Sequence, residues 1–240
     1  MTRRLCALHL AGNALLLCLG YYWLGIGESS LPTLAWSFLL ALAILCGTVW
    51  LHGTAFAYFQ GSFDLRTALR EAGRHLLPLV TLGIAVLAVY WLLAQWAAYS
   101  PQPAFHVASY LTLKLRKPVR PAAVLTVFSV VLWLVRWALL PLILLPVASA
   151  VTRSGWRAFH ELRVRGFHHR LYWIVTPLLT LSAFWAPFQL LHWTPLAGGF
   201  GVEALSFLIR FTVAYLLFVG ACLLLAFTAP HTGSVQPNRP

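Results

Sequence analysis

The chain's capacity for acid–base chemistry and metal binding rests on nine histidines, four cysteines and five carboxylates in 240 residues. Three histidines, His160, His168 and His169, fall beside Glu161 in SGWRAFHELRVRGFHHRLYW. Helical zinc sites place two ligands four residues apart on one face, as in H-E-x-x-H. Here His160-Glu161 continues as Leu162-Arg163-Val164, and Arg153, Arg157, Arg163, Arg165 and Arg170 surround the group. Such a density of cations repels a metal ion, so these residues read as solvated histidines on a basic face, with no metal ligands among them. His9 and His52 sit near the ends of two apolar segments. Two histidines at similar depth on adjacent helices are what a b-type haem requires. Histidines near helix ends are far commoner than haem ligands, and no cofactor is expected.

Catalytic constellations are missing from the sequence. The carboxylates are Glu28, Asp64, Glu71, Glu161 and Glu203, and none sits deep in an apolar segment. Paired-carboxylate acid–base work and proton-coupled transport are therefore unsupported. There is no G-x-S-x-G motif, and GGFG at 198–201 lacks the lysine and the strand–helix context of a phosphate cradle. Cys6, Cys18, Cys46 and Cys222 are scattered through apolar stretches without a CxxC pair, so they read as small hydrophobes.

The residue that asks most for an explanation is Arg136, in VVLWLVRWALLPLILLP (130–146). An arginine at a bilayer centre costs about 2.5–3.5 kcal/mol, which surrounding Leu, Val and Ile at roughly −0.3 to −0.6 kcal/mol each offset. Insertion is affordable, and depth decides the reading. If the last twenty residues, 131–150, cross the hydrocarbon, Arg136 lies about 8 Å from the outer boundary at 1.5 Å per residue. There it is expected to snorkel outward, stacked on Trp133 or Trp137. Arg210, early in the last apolar segment, occupies a comparable position.

The elements that position these residues follow from composition. The chain is 60% hydrophobic and 9% charged, against about 45–50% and about 25% in soluble domains, and its mean hydropathy is +0.80. Six apolar segments, near 6–26, 33–58, 77–98, 123–150, 171–192 and 204–228, reach the roughly 18 residues a membrane helix needs. None shows the period-2 alternation of a transmembrane barrel. The expected fold is all-α: a polytopic six-helix membrane bundle forming one domain over 1–228, with a polar, disordered tail at 229–240. MTRRLCALHLAGNALLLCLG imitates a signal peptide, but Leu17 before Cys18 and the lack of an A-x-A site favour a retained first helix.

Orientation follows from the loops. Arg3, Arg4, Arg66, Arg70, Arg74 and the 153–170 arginines lie on one side, whereas ESSLP (28–32) and WTPLAGGFGVE (193–203) carry no Lys or Arg. By the positive-inside rule both termini are cytoplasmic. LKLRKPVR (113–120) disobeys, with Lys114, Arg116, Lys117 and Arg120 on the outer side; AFHVASYLTLKL before it is expected to lie along that membrane surface. Both cytoplasmic connectors look amphipathic. In SFDLRTALREAGRHLLP, Leu65, Leu69, Ala72 and Leu76 form one stripe and Arg66, Arg70 and Arg74 another. Prolines interrupt spans four and five: Pro141, Pro146, Pro177 and Pro187, with Thr180 nearby.

A net charge of +12 does not imply nucleic acid here, because the cations are spread over short loops with no contiguous basic face. Fifteen arginines against two lysines fit a GC-rich bacterial genome, hence an inner membrane. The expected function is a non-enzymatic accessory or scaffold component. Lys114, Arg116, Lys117, Arg120, Arg136 and Arg210 form an outer basic rim for anionic lipid headgroups or a membrane-protein partner. The alternatives are a small transporter or channel whose cavity is lined by Pro141, Pro177 and Thr180, and a membrane-embedded enzyme acting on lipid-linked substrates.

Overall fold

The computed structural model describes residues 3–27, 29–61, 63–160, 170–194 and 199–229. It is all-helical, and six helices are long and apolar enough to cross a membrane. These spans, one to six, run over Arg3–Leu24, Leu31–Gln60, Leu76–Tyr99, Pro121–Ser154, Leu171–His192 and Phe200–Thr228. Large apolar side chains such as Leu39, Trp91, Ile174 and Leu208 are exposed on the outside of the bundle. In water that surface would aggregate; in hydrocarbon it is the expected face.

Helix ends follow the local sequence. Span two starts at Ser30, whose hydroxyl accepts from the Thr33 amide while the Thr33 hydroxyl accepts from the Ser30 amide; Pro32 stands in the first turn. Spans one and two form an antiparallel hairpin that closes tightly at Gly12 and Gly47. A Cβ on Gly12 would stand 2.9 Å from Leu51, and one on Gly47 would stand 2.9 Å from Leu16. The main core gathers Leu5, Ala55, Tyr58, Ala68, Val219 and Leu223 at the end of the bundle that carries Arg3 and Gln60.

The first connector is a helix, Leu65–Arg74, lying against span two. Ala68 and Ala72 are buried, Arg66, Arg70 and Arg74 are exposed, and the Trp50 indole donates to the Leu69 carbonyl at 3.3 Å. Of the leucine stripe, Ala72 is buried and Leu65, Leu69 and Leu76 are half-buried. Asp64 caps the helix: its carboxylate accepts from the Thr67 amide at 3.0 Å and the Thr67 hydroxyl at 2.7 Å. Those two bonds to Thr67 hold the Asp64 carboxyl below its ordinary pKa. The cap is thus at full strength above the ordinary carboxylate value and is lost as pH falls through the depressed one. Acidification through the depressed value is expected to lower the protection factor of the Thr67 amide, its exchange rate taken relative to that of the free peptide at the same pH, and Asp64→Asn, which keeps an acceptor, is expected to remove that loss of protection.

The second connector is described only through a single helical turn, Arg157–His160. Glu161, Arg163, Arg165, His168 and His169 lie outside the described residues, as do Glu28 and the tail from 230. AFHVASYLTLKL lies in the helix Pro101–Leu115, which follows span three after a single residue, Ser100, and packs back against the start of span four. Ala104 and Ala108 present a small-residue face that lets Val124 approach, so the segment is half of a helical hairpin.

Candidate functional site

Spans four and five are the irregular elements, and proline explains how. In span four the residues Val135–Leu139 form a π-turn, in which the Leu140 amide bonds to the Val135 carbonyl five residues back. In that register the next donor would be residue 141 and its acceptor the Arg136 carbonyl, but Pro141 has no N–H. The freed Arg136 carbonyl instead accepts from the Tyr90 hydroxyl of span three at 2.9 Å. One turn on, Pro146 withholds a donor from the Leu142 carbonyl, and the Tyr172 hydroxyl of span five supplies it at 2.7 Å. Pro141 and Pro146 are thus each matched by a tyrosine from a neighbour, the re-satisfaction that a membrane helix with internal proline needs.

Span five repeats the device. Leu181–Trp185 is a π-turn, Ala186 bonds back to Leu181, and Pro187 follows. The two π-turns face each other. Trp137 stacks on Phe184 with ring centroids 6.3 Å apart, and Trp133 meets Trp185 edge-on at 6.5 Å. From Phe184 the ring contacts continue to Phe218 at 5.7 Å, to His52 at 6.1 Å and to His9 at 5.8 Å. This ladder ties spans four, five, six, two and one together. Trp133 and Trp137, the expected neighbours of Arg136, each meet a ring of span five. The Arg136 Nε is buried and makes no hydrogen bond.

The hairpin turn carries the basic cluster. Lys114, Arg116, Lys117 and Arg120 are all exposed, Arg116 in a left-handed conformation at φ 52° and Lys114 over the Tyr110 ring at 5.8 Å. No Asp or Glu occurs between Glu71 and Glu161, and among the described residues no cation of this turn is ion-paired. Arg210 is at the same end of the bundle but is otherwise employed. Its guanidinium lies 5.7 Å from the Trp193 ring and donates to the Leu190 and Leu191 carbonyls at 3.4 Å, while its Nε bonds to Ser206. It therefore caps the C-terminal end of span five, where a cation is favoured by the helix dipole. Four of the six residues read as a rim share one turn, while Arg136 and Arg210 stand apart within the spans.

Pro141 and Pro177 are half-buried, and Thr180 is buried with its hydroxyl on the Thr176 carbonyl at 2.8 Å. His9 is entirely enclosed by protein atoms, with Nδ1 on the Leu5 carbonyl at 3.2 Å. Its Nε2 is buried and makes no hydrogen bond. Among the described residues no group of three His, Cys, Asp or Glu side chains is arranged for a metal. Sequence reasoning missed Tyr90 and Tyr172. Their signal was indirect: Pro141 and Pro146 each create an orphan carbonyl, so a hydroxyl had to reach it from another span. No protein-family model, curated protein or solved structure matches the chain.

Proposed function

We propose that this protein is a non-catalytic, multi-pass component of a bacterial inner membrane that gathers anionic lipid headgroups at the tip of its 101–131 hairpin. The observation that carries this reading is the exposed, unpaired set Lys114, Arg116, Lys117 and Arg120, in a stretch of chain without a carboxylate. The arginine-rich connectors orient both termini to the cytoplasm, so the hairpin faces the outer leaflet.

Depth supports the same reading for Arg136. Gln60 donates to Ser149 at 2.7 Å, so these residues share a level. Thirteen residues separate Ser149 from Arg136, about 20 Å of helix. With the inner boundary at Ser149 and a hydrocarbon core of about 30 Å, Arg136 lies about 10 Å from the outer boundary. Its guanidinium snorkels from there toward headgroup oxygens.

Near an anionic surface each cation contributes about 1 kcal/mol. Changing Lys114, Arg116, Lys117 and Arg120 together to Gln is therefore expected to lower anionic-lipid retention at least tenfold in native mass spectrometry. Raised salt should weaken the wild-type signal toward the same level. Unchanged retention would exclude the lipid reading, and a co-purifying acidic protein lost with the same four changes would replace it with a partner-binding role. A second reading, a small transporter, is favoured by the facing π-turns and their prolines, since π-turns inside α-helices occur frequently at functional sites. It requires substrate flux in proteoliposomes that is lost on changing Pro141 or Pro177.

A further inference from the structure

We infer that His9 of span one and His52 of span two hold a monovalent copper ion between their imidazoles. His9 is entirely enclosed by protein atoms, and its Nδ1 lies 3.2 Å from the Leu5 carbonyl. A carbonyl only accepts, so Nδ1 carries the ring proton and Nε2 presents a lone pair. That lone pair is buried and has no hydrogen-bond partner. A ring N–H fixed on a backbone carbonyl, with the opposite nitrogen left to the ion, is how metal-binding histidines are held.

The neighbour of His9 is a second imidazole. The His52 ring stands 5.8 Å from that of His9 and at 66° to it. Among the described residues neither nitrogen of His52 forms a hydrogen bond or an ion pair, and its other ring neighbour is Phe218 at 6.1 Å. With metal–nitrogen bonds of about 2.0–2.1 Å, an ion joining two imidazoles sets their centres about 5–6.5 Å apart. The observed spacing falls in that range. The hydroxyls of Thr54 and Tyr215 are engaged by the Trp50 and Leu10 carbonyls, so neither is left to meet Nε2.

The ligand set selects the ion. Among the described residues no third His, Cys, Asp or Glu joins the pair. Imidazole suits zinc and copper alike. A zinc site, however, takes three or four protein ligands, and a dication with no carboxylate beside it is costly in an apolar core. Monovalent copper is satisfied by two neutral nitrogens and brings a single charge. Nε2 of His9 has no proton to lose before it binds. His52 is half-buried, so the ion enters from its side. This site is separate from the basic hairpin and does not depend on it.

The purified full chain is titrated anaerobically with Cu(I) against a chromogenic Cu(I) chelator, and X-ray absorption reads the shell of the bound ion. One tightly held ion per chain is expected, with two nitrogen ligands at about 2 Å and no sulfur. The lack of sulfur distinguishes this site from the thiols of Cys6, Cys18, Cys46 and Cys222. His52→Leu is expected to weaken binding by about 100-fold or more, since loss of an outer-shell partner alone costs up to that much. His52→Met keeps a ligand for copper and serves also should His52→Leu fail to fold; it is expected to replace one nitrogen with one sulfur in the spectrum. A chain that takes up no copper, its two imidazoles joined by a proton instead, would overturn the proposal. So would an affinity unchanged in His52→Leu, a sulfur-containing shell in the wild type, or an unchanged two-nitrogen spectrum in His52→Met.

Discussion

Replacing Tyr172 with Phe is expected to destabilise the bundle by about 1–2 kcal/mol, and restoring an amide at position 146 is expected to cancel most of that loss. A buried carbonyl deprived of its donor costs about 1–3 kcal/mol. Interhelical hydrogen bonds in membranes fall at the lower end, about 0.6–1.7 kcal/mol. Tyr172 is buried, and the Leu142 carbonyl it serves has no backbone alternative while residue 146 is proline, so the upper part of that range applies. Pro146→Ala returns an N–H four residues beyond Leu142. In that background the hydroxyl is no longer the carbonyl's sole donor, and Tyr172→Phe should then cost only a few tenths of a kcal/mol. Thermal or denaturant unfolding of the four proteins in one detergent measures the coupling. Equal losses in both backgrounds would show that the hydroxyl contributes through a contact other than the Leu142 carbonyl. Tyr90 and Pro141 form the matching pair, with a smaller expected coupling because Tyr90 is only half-buried.

Gly155→Ala is expected to be at least as damaging, by about 1–3 kcal/mol from backbone strain alone. Gly155 ends span four at φ 57° and ψ −130°, a region that side chains with a Cβ avoid. The space is closed as well: an added Cβ would stand 2.6 Å from Nδ1 of His75, the residue that joins the first connector helix to span three. The turn therefore brings the two basic connectors into contact, above the small core of Leu79, Val151 and Ala158. Combining Gly155→Ala with His75→Ala separates the two causes. Removing the imidazole relieves the clash and leaves the strain, so the double variant should recover part of the stability lost by Gly155→Ala. Complete recovery would show that the backbone tolerates alanine there.

The class of fold was legible from composition and hydropathy, and each of the six apolar segments corresponds to a long helix within a few residues at either end. Span four runs from Pro121, which stands in its first turn, to Ser154, where Gly155 ends it at φ 57°.

For the candidate site the sequence indicated which residue types were unusual, and the tertiary structure decided what each one touches. Arg136 within an apolar run, prolines in spans four and five and a basic 113–120 loop all stand out as departures from a hydrocarbon-compatible pattern. Their partners lie far along the chain: Tyr90 on the Arg136 carbonyl, Tyr172 on the Leu142 carbonyl, and the end of span five on Arg210. A proline announces that a carbonyl has lost its donor, but which side chain replaces it depends on how neighbouring spans are rotated. That rotation is set by packing between helices that are apolar on every face, where periodicity carries no information. Composition and the length of the apolar runs determined that six long helices form; side-chain fit between them decided which one supplies each missing hydrogen bond.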